Sequence, residues 1–374
     1  MGMKTSRAEA VFRELHALAH AAEAPDDFTE AACAALGKAV PFEFACLATT
    51  DPATGLITGA YKSHPSDSMD AEFARLEYAV EDINQFHDLA TRATPVGVLE
   101  RDTAGHPDRC IRYREFLRPC FSHGHELRAV FRSAHGVWGV IGMYRPVGQI
   151  GFRDDEAGFL ATVSKTVAEG LSARAIRQAA MTVGTCGPAA LILTSDDRPI
   201  ATTPALEEHL ERIAGPGTPD LPMPILAIAA AVRARRGGLP APEPRSTLRT
   251  RTGGWLTLAG ASLSAGGGEG DVIITIDQPR PPDIVTAVVG ALGLTPRERD
   301  VIELILAGHA TGEIAKRLRL SPYTVQDHLK AIFEKAGVRS RRQLVATLFY
   351  EHYAPLLGQP LNHRGWFSGR SDLS

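Results

Sequence analysis

Polar side chains recur on one face of the segment from Leu320 to Gly337, close to the end of the sequence. At about 100° per residue of an α-helix, the apolar residues of this segment gather on the opposite face. The polar face carries a phenol, a hydroxyl, an amide, a carboxylate and an ammonium, from Tyr323, Thr324, Gln326, Asp327 and Lys330. Gln and Lys can bond to adenine and guanine edges in the major groove, and Asp can accept from cytosine. The pattern therefore predicts a helix that contacts DNA bases.

Basic residues surround this helix and give its region a charge of its own. The whole chain has a formal net charge of -3, but residues 295–347 hold ten Lys and Arg against six Asp and Glu. That region is therefore +4 and the remainder is -7, so only the C-terminal region is expected to meet a polyanion. Lys335 and Arg339 lie outside the base-facing side and are candidates for phosphate contacts that set the register.

Start and stop signals divide residues 295–350 into four helices. The sequence TPRE at Thr295 is a capping box, and Ser321 and Ser340 begin the third and fourth helices. Only the connection RLS separates the second helix from the third. A polar face on a lone helix is usually just solvated. Two helices so closely joined, with a basic cluster after them, instead favour a helix-turn-helix whose second helix enters the groove.

The segment that begins LTPRE at Leu294 and ends SRRQLV at Val345 closely resembles the LuxR-type (FixJ/NarL-type) DNA-binding domain. The matching motifs between them are EIAKRL, LSPYTVQDHL and IFEKAGV. This resemblance implies a recognition helix at Pro322 to Ala336 and dimerisation through the last helix. It also implies base or backbone contacts from Thr324, Gln326, Asp327 and Lys330, and a phosphate contact from Lys335.

The second helix departs from the family's pattern. Ala310 and Thr311 stand where the family usually has Ser or Thr followed by Asn. The N-cap is therefore either lost or shifted to Thr311. Glu334 also places a negative charge on the side that faces the groove.

Two segments with helices flanking antiparallel strands precede this domain, a pattern typical of α+β folds. Residues 1–178 look like a GAF domain, on the hairpin FEFACLATTDPATGLITGAYK, the strand pair LRAVFRSAHGVWGVIGMYR and the closing helix GFRDDEAGFLATVSKTVAEGL. Residues 184–278 look like a PAS-like domain, on AALILTSDDRPIATTPALEEHL and three later strands. Both families use a sheet to bind small ligands or partner helices.

Aromatic, thiol and imidazole side chains of the GAF-like segment are candidates for a ligand pocket, because such sites are apolar with a few polar groups. These candidates are Phe44, Cys46, Phe86, His87, Cys120, His123, Trp138 and Tyr144. The plain alternative is that Phe44, Trp138 and Tyr144 are simply core or surface-sheet aromatics.

Cys and His residues also cluster between His106 and His125, with Cys110, Cys120 and His123 between them. Their spacing matches no zinc module, so we expect neither a metal nor a cofactor. The sequence GGGEG at Gly266 precedes a strand instead of a helix, which favours a hairpin loop over a phosphate site. The chain has no GxSxG, HExxH or P-loop motif, so we expect no enzymatic activity.

Composition sets the limits for these interpretations. A chain of 374 residues has room for two or three domains. Its most apolar stretch, PILAIAAAV, is half of the roughly 18 residues that a membrane span needs. The N-terminus lacks a signal-peptide core and the five cysteines form no CxxC pair, so we expect a cytoplasmic protein with reduced thiols.

The sequence therefore predicts a multidomain protein with an α+β GAF-like domain at 1–178 and an α+β PAS-like domain at 184–278. A linker at 279–290, an all-α four-helix helix-turn-helix domain at 291–353 and a disordered tail at 354–374 follow. The predicted function is a homodimeric one-component transcriptional regulator of double-stranded DNA, controlled by a small molecule or protein at the GAF-like and PAS-like domains. RNA polymerase is a further candidate partner. The alternative is a signalling protein whose GAF/PAS surfaces bind another protein, with DNA binding incidental.

Overall fold

The computed structural model describes residues 5–21, 28–64, 69–133, 136–177, 187–217, 220–251, 254–263, 270–278, 292 and 294–345. Three units follow one another along these residues. We call them the first unit (residues 5–177), the second unit (residues 187–278) and the C-terminal unit (residues 292–345). The predicted linker at 279–290 and the predicted tail at 354–374 lie outside the described residues.

The first unit is built on a five-stranded antiparallel sheet. Its strands are β1 (Phe44–Thr50), β2 (Ile57–Lys62), β3 (Val96–Val98), β4 (His123–Ser133) and β5 (Gly136–Pro146). They lie in the order β2-β1-β5-β4-β3 across the sheet. Its α-helices are α1 (Thr5–His20), α2 (Phe28–Ala39), α3 (Asp70–Tyr78), α4 (Phe86–Thr91), α5 (Leu99–Asp102), α6 (Arg118–Phe121) and α7 (Asp154–Arg177). The hairpin, the strand pair and the closing helix lie where the sequence predicted them.

Side chains alternate across this sheet, as the period of two in a β-strand requires. Ala45 and Leu47 of β1 join a core with α1, α2 and α7, to which Leu15, Leu36 and Leu160 belong. Phe44 and Cys46 lie on the opposite face, which α3, α4 and α6 cover. The two faces of the sheet therefore have different neighbours, and only one of them is a conventional helix-packed core.

The segment between β2 and β4 is irregular. Two separate helices, α3 and α4, lie in it, and Asn84 between them has a φ of 61°. A π-helical stretch, Tyr113–Leu117, precedes α6. Ser122 then adopts the left-handed conformation with a φ of 56° before β4 begins. These features cover the face of the sheet that carries Phe44 and Cys46, which we call the open face.

The second unit repeats the strand order of the first. Its strands are β6 (Ala189–Leu193), β7 (Pro199–Thr202), β8 (Arg245–Arg249), β9 (Trp255–Ser262) and β10 (Val272–Asp277), in the order β7-β6-β10-β9-β8. Its helices are α8 (Leu206–Ala214) and α9 (Met223–Arg236). Counted within each unit, both sheets run second, first, fifth, fourth, third. Strands β9 and β10 form the predicted hairpin, and most of its glycine-rich loop, residues 264–269, lies outside the described residues.

Helix α9 explains the most apolar stretch of the chain. Eleven of its fourteen residues are buried, from Met223 to Val232 and at Ala234. It contacts β8, β9 and β10 of its own sheet and α3 and β2 of the first unit. Buried residues of both units thus form one continuous core, and a helix that is apolar all round is expected in such a position. Within the part of the chain that the structure covers, no helix is long and apolar enough to cross a membrane.

The C-terminal unit is helical, with α10 (Pro296–Leu306), α11 (Thr311–Leu318), α12 (Pro322–Lys335) and a helical turn at residues 341–345. Its core is formed by Leu294, Val301, Ile302, Ile305, Ile314, Ala315, Val325, Leu329, Ile332, Val338 and Leu344. Trp255 of the second unit packs against this core. The continuation of the fourth helix beyond Val345 lies outside the described residues.

Candidate DNA-binding surface and candidate ligand cavity

The start of α12 is fixed by local hydrogen bonds. Arg319 ends α11 in the left-handed conformation with a φ of 55°, which turns the chain sharply. The side-chain oxygen of Ser321 then accepts a hydrogen bond from the backbone N–H of Thr324 at 3.0 Å. Pro322 occupies the first helical position, where a missing N–H costs nothing. The short turn and this N-cap place α12 across α11 as the sequence predicted.

One face of α12 is anchored and the other is open to solvent. Val325, Leu329 and Ile332 are buried in the core of the unit. The predicted base-facing residues lie on the other side: Tyr323, Gln326, Asp327 and Lys330 are exposed, and Thr324 is half-buried. Tyr323 is 78% exposed, which is unusual for a large aromatic side chain in a folded domain. The structure therefore brings all five predicted residues onto one surface.

The two predicted phosphate contacts lie in different environments. Lys335 donates a hydrogen bond from Nζ to Oε2 of Glu298 at 2.6 Å, across the unit from α12 to α10. Burial alone would raise the pKa of Glu298, but the hydrogen bonds from Lys335 and from the capping box at Thr295 hold it below its ordinary value. Lys335 thus clamps two helices together, whereas Arg339 is exposed.

Sequence reasoning passed over three basic residues at the end of α11. Lys316, Arg317 and Arg319 are all exposed, and the run KRLR was the signal that could have identified them. Arg341 has an internal role instead, because its guanidinium donates to the carbonyl oxygen of His309 at 2.6 Å.

Two alternatives were predicted for the start of α11, a lost N-cap or one shifted to Thr311, and the structure has the first. Ala310 occupies the N-cap position, so the side-chain cap is lost. Glu313 compensates in part, because its Oε2 accepts a hydrogen bond from the backbone N–H of Ala310 at 2.9 Å.

Five of the eight candidate pocket residues line a single cavity of about 260 Å³ in the first unit. They are Phe44, Cys46, Phe86, His123 and Tyr144. The cavity lies between the open face of the sheet, α3, α4, the π-helical stretch and α6. Met223, the first residue of α9, contributes to the wall from the second unit.

The other three candidates lie elsewhere. His87 is exposed beside Asp88, and Cys120 is exposed on α6. Trp138 is buried in the core on the far side of the sheet. Its position follows from a register shift, since Phe131 pairs with Gly139 but Arg132 pairs with Val137, which makes Trp138 the extra residue of a β-bulge. For Trp138, the core alternative is the correct one.

A second bulge places His123 in the cavity. His123 pairs with Pro146 and His125 with Arg145, so Gly124 is the extra residue. Without this bulge, His123 would share the face of Leu127 and point into the helix-packed core. A Cβ at Gly124 would lie 2.8 Å from the Cα of Val147, which explains the glycine.

The groups inside the cavity are neutral or paired. Burial raises the pKa of the Cys46 thiol to about 11 and raises that of the Tyr144 phenol above its ordinary value. Burial lowers the pKa of His123 below its ordinary value, so the imidazole is neutral at pH 7. Lys62 and Asp70 are 2.7 Å apart and neutralise each other.

Buried ion pairs lie beside the cavity, and no local sequence pattern predicts them. Arg128 Nη2 donates to Oε2 of Glu77 at 2.6 Å, and Arg112 Nη2 donates to Oε2 of Glu126 at 2.7 Å. All four side chains are at most 1% exposed. The guanidinium of Arg128 also lies 3.6 Å from the ring centre of Phe86, a cavity residue. The ion pairs therefore stiffen one wall of the cavity.

The Cys and His residues between His106 and His125 do not converge. Cys110 donates its S–H to Asp82, and His125 bonds to Glu100 and to the carbonyl oxygen of Gln149. His123 lies in the cavity and Cys120 on the surface. The residues that the structure describes contain no group of three or more His, Cys, Asp or Glu able to hold a metal ion.

The short turn between α11 and α12, with the exposed polar face of α12, defines a helix-turn-helix protein. Residues 292–348 match the family described as bacterial regulatory proteins, luxR family. The spore germination protein GerE of Bacillus subtilis is 44% identical over 55 residues, which are 15% of this chain and 74% of GerE. The chain therefore belongs to the luxR family of bacterial regulatory proteins. The family's description names regulatory proteins.

Longer relatives match over segments of similar length. A protein of Mycobacterium bovis named as an HTH-type transcriptional regulator is 54% identical over 52 residues, 14% of this chain and 6% of its own length. The transcriptional regulatory protein MctR of Rhizobium johnstonii is 39% identical over 56 residues, 15% of this chain and 26% of MctR. This chain thus spans only a small part of the mycobacterial relative. Among solved structures, Escherichia coli SdiA aligns with 10% identity over 92% of this chain and 96% of SdiA, with a TM-score of 0.33.

Proposed function

We propose that this chain is a one-component transcriptional regulator that binds double-stranded DNA as a homodimer, under the control of a ligand or partner of its first two units. The observation that carries the proposal is the surface of α12, where four polar residues are exposed while three apolar residues hold the helix in the core. We assign the first unit as GAF-like and the second as PAS-like. The antiparallel sheets flanked by helices support these assignments.

Base contacts are assigned to the exposed face of α12. Gln326 suits adenine, Lys330 suits guanine and Asp327 suits the amino group of cytosine. Tyr323 and Thr324 lie at the start of the helix, where hydroxyls can also reach phosphates.

Phosphate contacts are assigned to exposed basic residues around α12. Arg339 is one, and Lys316 and Arg317 on α11 are two more, because the first helix of the motif crosses the DNA backbone. Lys335 contributes mainly by its bond to Glu298, which fixes α12 on α10. Its ammonium group has three N–H donors, so it can also donate to a phosphate while the bond to Glu298 is kept.

The last helix is the proposed dimerisation element, and RNA polymerase remains a candidate partner. Leu344 is buried in the unit while Val345 is 38% exposed, so the helix presents apolar surface beyond its own core. A ligand shifts such a dimer only by binding its two arrangements with different affinity. Helix α7 and the segment at 279–290 are the connections through which the spacing of the two DNA helices would change.

The test measures binding of the full chain to a DNA site selected from a random pool. Lys330→Ala is expected to relax the preference at one base pair, by about 1–3 kcal/mol. Arg339→Ala should weaken binding to all DNA sequences equally. It should also reduce the magnitude of the slope of log K against log salt concentration by about one. Arg236→Ala, an exposed arginine on α9, is the control and should change neither property. Binding without any sequence preference, or by a monomer unaffected by removal of residues 1–282, would contradict the proposal.

A protein-binding role is the second candidate. Every residue of the edge strand β7 is exposed, and Ile200 on it is 59% exposed. Open edges of this kind can accept a strand from another protein. Salt-dependent DNA binding without sequence preference, combined with a partner captured through β7, would favour this role.

A further inference from the structure

We propose that the cavity of the first unit binds an uncharged, planar aromatic molecule with one hydrogen-bonding group, and that His123 holds that group. The inference deepens the proposed function, on which it rests, by naming the chemical class of the ligand. It derives from the shape, the charge and an unpaired nitrogen of the cavity.

The shape of the cavity is set by nearly parallel rings. The imidazole of His123 lies 4.9 Å from the ring of Tyr144 at an interplanar angle of 16°. Phe121 is 5.6 Å away at 18°, and Phe44 is 5.9 Å away at 15°. Rings in offset stacks attract a further flat ring in the same orientation. The lining therefore favours a planar aromatic ligand over a flexible chain.

The charge of the cavity disfavours ionic ligands. Lys62 is already bonded to Asp70, so neither charge is free to pair with a ligand. Glu43 is exposed at the rim, where water screens its charge, and it repels an anion further. An ionic ligand would lose its water without gaining a partner, which opposes its binding. A neutral ligand avoids this cost.

His123 supplies the hydrogen bond. It is 8% exposed, and its Nδ1 is buried without a hydrogen-bond partner among the described residues. A buried polar atom without a partner destabilises a fold, so such atoms are rare. A ligand O–H or N–H next to the imidazole would supply the missing partner, after a ring flip if the other nitrogen faces the cavity.

The backbone around His123 is shaped to hold it there. The bulge at Gly124 turns the side chain towards the cavity, and Ser122 before it has a φ of 56°. The π-helical stretch Tyr113–Leu117 brings Phe116 and Leu117 into the same lining. Bulges, left-handed residues and π-helical turns are each enriched at functional sites. Three of them at one cavity support a binding site over a packing defect.

The volume limits the size of the ligand. At about 260 Å³, the cavity is just smaller than the roughly 300–1,000 Å³ of sites for drug-sized ligands. A compound of one or two rings fits this volume.

The experiment titrates the full chain at pH 7.5 with four probes that share a naphthalene ring system, and calorimetry measures the binding. The probes are 2-naphthol, naphthalene, 2-naphthoate and 2-naphthylmethylammonium. We expect 2-naphthol to bind about tenfold more tightly than each of the others, because only it is neutral with a hydrogen-bonding group. His123→Phe retains a ring and should reduce 2-naphthol affinity about tenfold without changing naphthalene affinity. His87→Phe makes the same substitution on the surface and should change nothing.

Three results would overturn the proposal. These are an ionic probe that binds as tightly as 2-naphthol, a His123→Phe variant with unchanged 2-naphthol affinity, and no binding by any probe. If His123→Phe does not fold, the comparison of the four probes on the unmodified chain decides alone. DNA binding is measured in a separate experiment. Failure of the cavity proposal therefore does not affect the result on sequence-specific DNA binding.

Discussion

The sheets of the first and second units have the same strand order, but they differ in what covers one face. In the first sheet this face borders the cavity, and in the second it packs against α9. In the first unit, that face carries aromatic rings, neutral polar groups and buried ion pairs around an open volume. In the second unit, it is filled by the apolar side chains of α9. A shared topology thus does not predict whether a face binds a ligand, because side-chain size decides how much volume remains.

Two glycines show the difference at atomic scale. A Cβ at Gly260 on β9 would lie 2.5 Å from Cγ2 of Ile228, so the glycine lets α9 approach the strand. A Cβ at Gly142 on β5 would lie 2.5 Å from the phenol oxygen of Tyr144, so that glycine makes room for a cavity ring. The same residue type permits close packing in one sheet and forms part of a cavity wall in the other.

The largest expected effect is a loss of stability when a buried ion pair beside the cavity is broken. Arg128→Met removes the partner of the buried Glu77 carboxylate, which should lower the free energy of unfolding by about 3–5 kcal/mol. Urea denaturation measures this loss. Arg75→Met, which breaks an exposed pair with Glu72, is the matched control and should cost less than about 1 kcal/mol. Equal losses in both variants would show that the buried pair has no special role.

A smaller loss is expected from Gly260→Ala in the second sheet. The new methyl group meets Ile228 and Val232 of α9, and overpacking of this kind costs about 1–3 kcal/mol. The free energy of unfolding from urea denaturation is again the measurement. A stable Gly260→Ala variant would mean that α9 can move away from β9 without loss.

Gly142→Ala should cost less stability than Gly260→Ala but affect binding. Only the end of the Tyr144 side chain must move, and the cavity offers space for it. We expect a loss of less than about 1 kcal/mol in unfolding free energy, with weaker binding of 2-naphthol. If the two glycine variants lose equal stability and Gly142→Ala binds the probe normally, the contrast between the sheets fails.

The smallest effect is a pH dependence from one buried histidine in each of the first two units, His123 and His209. Burial lowers the pKa of both His123 and His209 below the ordinary 6.5, although the carbonyl oxygen of Gly187 acts in the opposite direction on His209. The folded state therefore prefers neutral imidazole, so the stability from each group is complete above pH 6.5 and declines as the pH falls. Unfolding free energies at pH 7 and pH 5 should differ less in His123→Phe and in His209→Leu than in the unmodified chain. An unchanged difference in both variants would contradict this assignment.

Local signals were sufficient for much of the fold. The periods of two and 3.6 predicted the hairpin at β1 and β2, the long helix α7 and the strands of the second unit. The cap at Ser321 and the polar face of α12 were also predictable, because caps and helix faces depend on neighbours within four residues.

Features that depend on distant partners were not predictable in the same way. Simple alternation places Trp138 with Tyr144 and His123 with Leu127, and the two β-bulges reverse both assignments. The pairing of Lys335 with Glu298 joins residues 37 positions apart in the sequence. Each outcome depends on packing that a local pattern does not contain.

The position of α9 has a consequence for how the protein unfolds. Because the helix supplies the core of one unit and the covering of its neighbour, neither unit can open without exposing apolar surface of the other. The boundary between the first and second units is therefore not a boundary in cooperativity. The two units are expected to melt in one transition, and either unit produced without the other would expose apolar surface and lose solubility.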